Sequence, residues 1–173
     1  MKRLLKAAGI VIADCLLAFG QSSAGQSSPQ IHLDADGLKP RPIEELTGTT
    51  IAHNYALAWR DMASALESSQ GGGLGEEFVG VAKDRLMKRI ADQRQTGVHV
   101  RIVDHGHQVK AIFYSTDGTA MQLVDEAQLE ILTLDGNKLL DTANSVHRYV
   151  VLMTPGADRW YVRDLEETPA KAF

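Results

Sequence analysis

Thiols are nearly missing from this chain of 173 residues: its one cysteine, Cys15, sits within the first twenty. There is therefore no disulfide framework, and past residue 15 neither a thiolate nucleophile nor a cysteine-based metal site. A basic excess is missing too. Lysine and arginine number 18 against 22 acidic residues, a formal net charge of −4, so a polyanion is a poor match and nucleic acid is excluded as the main partner. No apolar run reaches the ~20 residues that span a bilayer. Glycine is present as a run, Gly71-Gly72-Gly73, but without a preceding strand or a Gly-Lys-Ser/Thr sequence the run is an inter-helix connection and not a phosphate loop.

What is there begins with a secretory layout. Met1-Lys2-Arg3 and Lys6 form a positive start, Ala7 to Leu17 is mostly apolar, and Ala18-Phe19-Gly20 supplies small residues for cleavage, the position after Ala24 being the alternative cut. Residues 1–20 are read as a signal peptide and the chain as exported, periplasmic or secreted. The alternative is an uncleaved anchor at the outer face of the inner membrane, with membrane association through residues 1–20. Val11 to Cys15 loosely resembles a lipobox, but Asp14 stands where a small residue is required. Cleavage after Gly20 removes Lys2, Arg3, Lys6 and Asp14, so 15 basic residues face 21 acidic ones and the net charge becomes −6.

Residues 21–45 are rich in Ser, Gln, Gly and Pro, with Pro29, Pro40 and Pro42 each excluding helix locally. This stretch is read as a flexible spacer in which Ile31-His32-Leu33 has the composition of an edge strand with nothing to compel pairing. One domain follows over residues 46–167, with a tail at 168–173. A first helix is expected to start at the Thr47 to Thr50 cluster through a threonine cap, burying Ile51, Tyr55, Ala58 or Trp59, Met62 and Leu66. A second is expected from about Gly75 to Gln95, with Val79, Ala82, Leu86 and Ile90 inward and Gly97 as its stop. Its basic residues alternate with Asp84 and Asp92 at ion-pair spacing, the pattern of a solvated face. Strands are expected at Val98 to Ile102, Val109 to Tyr114, Met121 to Leu134, His147 to Met153 and Trp160 to Leu165, separated by Gly106, Asp117-Gly118, Asp135-Gly136-Asn137 and Pro155-Gly156.

Two helices followed by a meander give an α+β class, two N-terminal helices packed on a curved antiparallel sheet. The residues Tyr55 to Trp59, Ala65-Leu66, Phe78 to Gly80, Leu86, Asp104 to His107, Phe113 to Gly118 and Arg159 to Arg163 carry a pattern that resembles the NTF2-like superfamily, the cone-shaped fold of nuclear transport factor 2 and the ketosteroid isomerases. That superfamily includes enzymes, ligand binders and assembly modules, so the resemblance implies a fold and leaves function open.

Candidate chemistry is sparse. His105 and His107 are two apart in a strand with Asp104 beside them, but the intervening Gly106 favours a bulge and no third ligand follows, so no metal is expected. Asp125 shares strand parity with Met121, Leu123, Leu129 and Ile131. It is either a concave-side base of the ketosteroid isomerase kind, with Tyr114, His147 or another phenol as partner, or, on the plainer reading, a residue that marks a bulge or faces water. Trp59, Tyr55 and Trp160 are the candidates for stacking on a ligand, against ordinary core packing. The reading is a noncatalytic extracytoplasmic domain that binds a protein partner or a small apolar ligand, without a cofactor, and compatible with a homodimer through the sheet face. Its rivals are a small lyase or isomerase using Asp125 and a membrane-anchored assembly subunit.

Overall fold

A computed structural model describes residues 28–169; the expected signal segment with Cys15 and the last residues of the tail lie outside the described residues. The order is β1 (Ile31–Asp34), α1 (Glu45–Ser68), a 3-10 turn (Leu74–Glu76), α2 (Gly80–Thr96), β2 (Val98–Tyr114), β3 (Met121–Asp135), β4 (Lys138–Pro155) and β5 (Trp160–Thr168). The strands form one sheet in the order β1-β2-β3-β4-β5, parallel between β1 and β2 and antiparallel elsewhere. One face of this sheet packs on α1 and α2, and the core lies between them.

Helix α1 buries the expected stripe of Ile51, Tyr55, Trp59, Met62 and Leu66. Its start departs from the expected threonine cap. The helix begins at Glu45, after an extended Glu44 that makes no side-chain cap, because Pro40 and Pro42 exclude helix just upstream. Thr47 donates its hydroxyl to Glu44, while Thr49 and Thr50 donate theirs one turn back to the Glu45 and Leu46 carbonyls.

Helix α2 also starts later than its apolar spacing suggests. Residues 77–79 are used by the sheet: the Val162 amide donates to the Glu77 carbonyl and the Val79 amide to the Val162 carbonyl. Phe78 is thereby buried against β5, and helix begins only at Gly80. The expected stop holds, for Gly97 adopts φ 73° and returns its amide to the Gln93 carbonyl.

The spacer reading fails from Ile31 onward. Ile31 to Asp34 pair with His107 to Lys110 of β2, Leu38 is buried, and the Tyr114 amide donates to the Lys39 carbonyl. Ile31 and Leu33 pack on the core. No described helix is long and apolar enough to cross a membrane.

Two irregularities in β2 set what faces inward. Ile102 is buried at an even position, the register then shifts between Asp104 and His107, and the odd positions His107, Val109 and Ala111 are buried after it. Gly106 carries the extra residue at φ 121°, a backbone conformation that favours glycine. A second shift between Ala111 and Phe113 returns the inward parity to Tyr114. These bulges bend β2 around α1.

Candidate functional site

At the centre of the concave face the inward residues are polar. Asp125 on β3 and His107 on β2 are both buried, with 0% and 1% relative exposure. This corrects the plainer sequence reading of Asp125, which neither faces water nor marks a bulge. The Tyr55 hydroxyl of α1 donates to Asp125 Oδ2 at 2.7 Å, and His107 Nδ1 meets the same oxygen at 2.8 Å. The other ring nitrogen of His107, Nε2, lies 2.8 Å from Asp104 Oδ2, whose second oxygen accepts the Gly106 amide inside the bulge at 2.7 Å. Burial alone would push the His107 imidazole down, but its bonds to Asp104 and Asp125 and their charges raise it to about 9. His107 is therefore an imidazolium at neutral pH, donating from both nitrogens to two carboxylates. Burial, and then the charge and hydrogen bond of Asp125, hold the Tyr55 phenol well above its ordinary value.

Aromatic rings seal this cluster. The Trp59 ring lies 4.5 Å from the His107 ring and 5.3 Å from Tyr149, centroid to centroid, and Trp59 is 2% exposed. The second oxygen of Asp125, Oδ1, has no hydrogen-bond partner among the described residues and is equally out of reach of solvent.

A second polar cluster sits at the rim of the same face, on β4 and β5. His147 stacks over Tyr149, with rings 6.4 Å apart and 20° from parallel. Its Nδ1 lies 2.7 Å from Glu167 Oε1, and its Nε2 lies 2.9 Å from Ser145 Oγ. Ser145 is exposed and His147 only partly so. Burial, followed by the charge of Glu167, raises the Tyr149 phenol, against the opposing charge of Arg89 on α2.

The candidates thus separate. Asp125, Tyr55 and Trp59 converge, while Tyr114 and Trp160 pack together 6.3 Å apart at another place, where the Arg41 guanidinium covers the Tyr114 ring. Trp160 is held there by its amide, which donates to Asn54 Oδ1 at 3.0 Å. His105 and His107 point apart: His105 is half exposed, 3.8 Å from Glu130. Among the described residues no group of three His, Cys, Asp or Glu side chains is arranged to hold a metal. Asp104 is marked in the sequence only as a neighbour of the His105 and His107 pair, and Ser145 and Glu167 carry no signal there, except that Ser145 and His147 are two apart and so share a face of any strand.

No protein-family model matches the chain, and no curated protein is similar to it. Solved structures are. The intermembrane space region of the chloroplast protein ARC6 superposes with a TM-score of 0.62 at 13% identity, over 75% of this chain and 100% of that one. ActVI-ORFA from Streptomyces coelicolor gives 0.50 at 11% identity over 72% and 98% of the two chains. A candidate dehydratase of the NTF2-like family from Streptomyces avermitilis gives 0.47 at 12% identity over 72% and 99%. At such identities the likeness is one of fold, and it agrees with the two helices packed on a curved, mostly antiparallel sheet. This chain shares its α+β fold, two helices on a curved sheet, with the ARC6 region.

Proposed function

We propose that this chain is an extracytoplasmic binding domain that does no chemistry in its cone and takes an extended segment of a protein partner along the free edge of β4. The edge carries this reading. Strand β5 pairs with β4 only from Arg148 to Pro155, so the outer side of Lys138 to His147 has no neighbouring strand among the described residues. Every residue from 138 to 146 is exposed, including Leu139 (53%), Leu140 (49%) and Val146 (53%). An unpaired strand edge flanked by apolar side chains is a template for a further strand, since backbone hydrogen bonds give affinity and the side chains give selectivity. A small apolar ligand in the cone is less well supported, because Tyr55, Trp59, His107 and Asp125 fill its centre. The extracytoplasmic placement rests on the layout of residues 1–20.

Placing a photo-crosslinking amino acid at Leu140 in the native host tests the reading, with Val81, 48% exposed on α2, as the control position. A discrete adduct at Leu140 and none at Val81 is expected. Equal products at both positions, or none at Leu140, would refute it. An adduct of twice the chain mass would identify the partner as a second copy.

One observation favours an enzyme: a carboxylate, a phenol and an imidazole converge at Asp125, the ingredients of proton abstraction beside a carbonyl. Burial weighs against it. A general base must reach the proton it removes, and neither oxygen of Asp125 meets solvent. Turnover of small ketones or hydroxy-ketones that Asp125→Asn lowers ~100-fold, the scale of losing a general base, would establish the enzyme instead.

A further inference from the structure

The rim cluster has the atomic order of an acyl-transfer relay, and we infer that Ser145, His147 and Glu167 form a nucleophilic site for carboxylic esters at the edge of β4. In such a relay the carboxylate binds one imidazole nitrogen, which fixes the tautomer, and the other nitrogen accepts the proton of the hydroxyl. The distances here are 2.7 Å from Glu167 Oε1 to His147 Nδ1 and 2.9 Å from His147 Nε2 to Ser145 Oγ. The imidazole plane is fixed by the Tyr149 ring stacked with it, which packs in turn on the buried Trp59. His147 thus rests on the rigid core, while the hydroxyl it activates faces solvent.

A donor for the developing oxyanion follows from strand parity. The Thr168 hydroxyl of β5 donates to the Arg148 carbonyl, so the backbone groups of Arg148 face β5. Two residues along, the Val146 amide faces the same side, where no strand pairs with it among the described residues. It is the amide directly after Ser145, the place from which hydrolases on other folds supply an oxyanion donor.

The chemistry closes without a further reactant besides water. Ser145 Oγ bonds to the carbonyl carbon as its proton passes to His147 Nε2, and the carbonyl electrons collect on the oxygen at the Val146 amide. Collapse expels the alkoxide, which takes the proton from His147 and leaves as the alcohol. Water, deprotonated by His147, then attacks the acyl-serine, and the C–Oγ bond breaks to release the carboxylic acid and restore the serine.

The test treats the full-length protein with an alkyl fluorophosphonate and maps the adduct by mass spectrometry, beside the hydrolysis of p-nitrophenyl butyrate. A phosphonyl group on Ser145 is expected, with its rate lowered ~100-fold in His147→Gln, the scale of losing a general base. Ester hydrolysis should disappear in Ser145→Ala. Absence of an adduct on Ser145, or hydrolysis unchanged in Ser145→Ala, would overturn the inference, the latter by showing His147 to be a simple surface nucleophile. The readout is a covalent bond on one residue of the protein without its partner, so failure of the partner-segment reading leaves this inference standing, and the reverse; a partner strand paired at Val146 would take up the oxyanion donor and slow the labelling of Ser145.

Discussion

Two histidines on one face of the sheet have opposite surroundings. His107 lies between two carboxylates, fully buried, with both nitrogens within 2.8 Å of an oxygen; His147 lies between a carboxylate and a hydroxyl at a solvent-exposed rim. The first arrangement favours a fixed positive charge, because the hydrogen bonds and charges of both neighbours raise the His107 imidazole to about 9. The second sets one nitrogen beside a carboxylate and the other beside a hydroxyl, the order a proton relay needs. On the reading proposed above, the buried residues at the cone centre serve the fold, while a plainer trio at the rim is placed to act. Convergence of polar groups marks an active site only where something can reach them.

The comparison breaks if the centre is not truly sealed, and Trp59 is the seal. Trp59→Ala is expected to cost about 3–5 kcal/mol, the range for emptying a buried aromatic site, because Trp59 covers His107 and supports Tyr149. Denaturant titration measures it. A change below about 1 kcal/mol, far under that range, would place the ring at an open cavity and revive its ligand-stacking role.

Next in size is the pH dependence of the buried pair. The folded imidazole of His107 titrates at about 9, above the ordinary value of ~6.5 kept in the unfolded chain. A pKa raised on folding means that the folded state holds the proton more tightly. The stabilisation is thus complete below the unfolded value and lost as pH rises through about 9, with a size of roughly 3 kcal/mol at 1.36 kcal/mol per unit. Urea titrations at pH 6 and pH 10 should show this fall in the wild type and a much smaller one in His107→Gln. A fall of the same size in the variant would remove His107 as its cause.

Asp125→Asn is expected to cost about 1–3 kcal/mol, the penalty of weakening a buried hydrogen-bonded group, since the amide keeps the shape but not the charge opposite His107. Thermal unfolding and far-ultraviolet circular dichroism follow it. A variant as stable as the wild type would mean that the Asp125 charge adds nothing to stability.

Much of the fold was legible because the relevant signals are local. The α1 stripe from Ile51 to Leu66 repeats every three or four residues, and the turns at Asp117-Gly118 and Asp135-Gly136 name themselves by composition. The centre of the cone was not legible. A single residue added at Gly106 exchanges inward for outward positions along β2, so His107 faces Asp125 only once the bulge is known. Asp125 itself had the right parity, yet a buried carboxylate needs partners from β2 and α1 that a reading along one strand cannot supply. Leu139 to Val146 was illegible as strand for a different reason: exposed on both sides, it has no alternation to read. Strand β1 failed in the same way, a short segment whose pairing is decided by β2 and not by its own composition.

The smallest expected effect on stability sharpens the comparison from the open side. Leu140→Lys should change the unfolding free energy by less than about 0.5 kcal/mol, the usual range for surface positions, because Leu140 is 49% exposed. The same change should abolish the partner adduct expected at neighbouring edge positions, for a lysine on an edge strand is a recognised guard against strand addition. It should also leave phosphonylation of Ser145 unchanged, since Ser145, His147 and Glu167 make their contacts among themselves and with Tyr149. Photo-crosslinking from Leu139, thermal unfolding and mass spectrometry of one preparation read all three. If the lysine lowers stability by more than about 2 kcal/mol, well beyond a surface change, this part of β4 is covered in the folded protein, and the division into a sealed centre and an open edge falls.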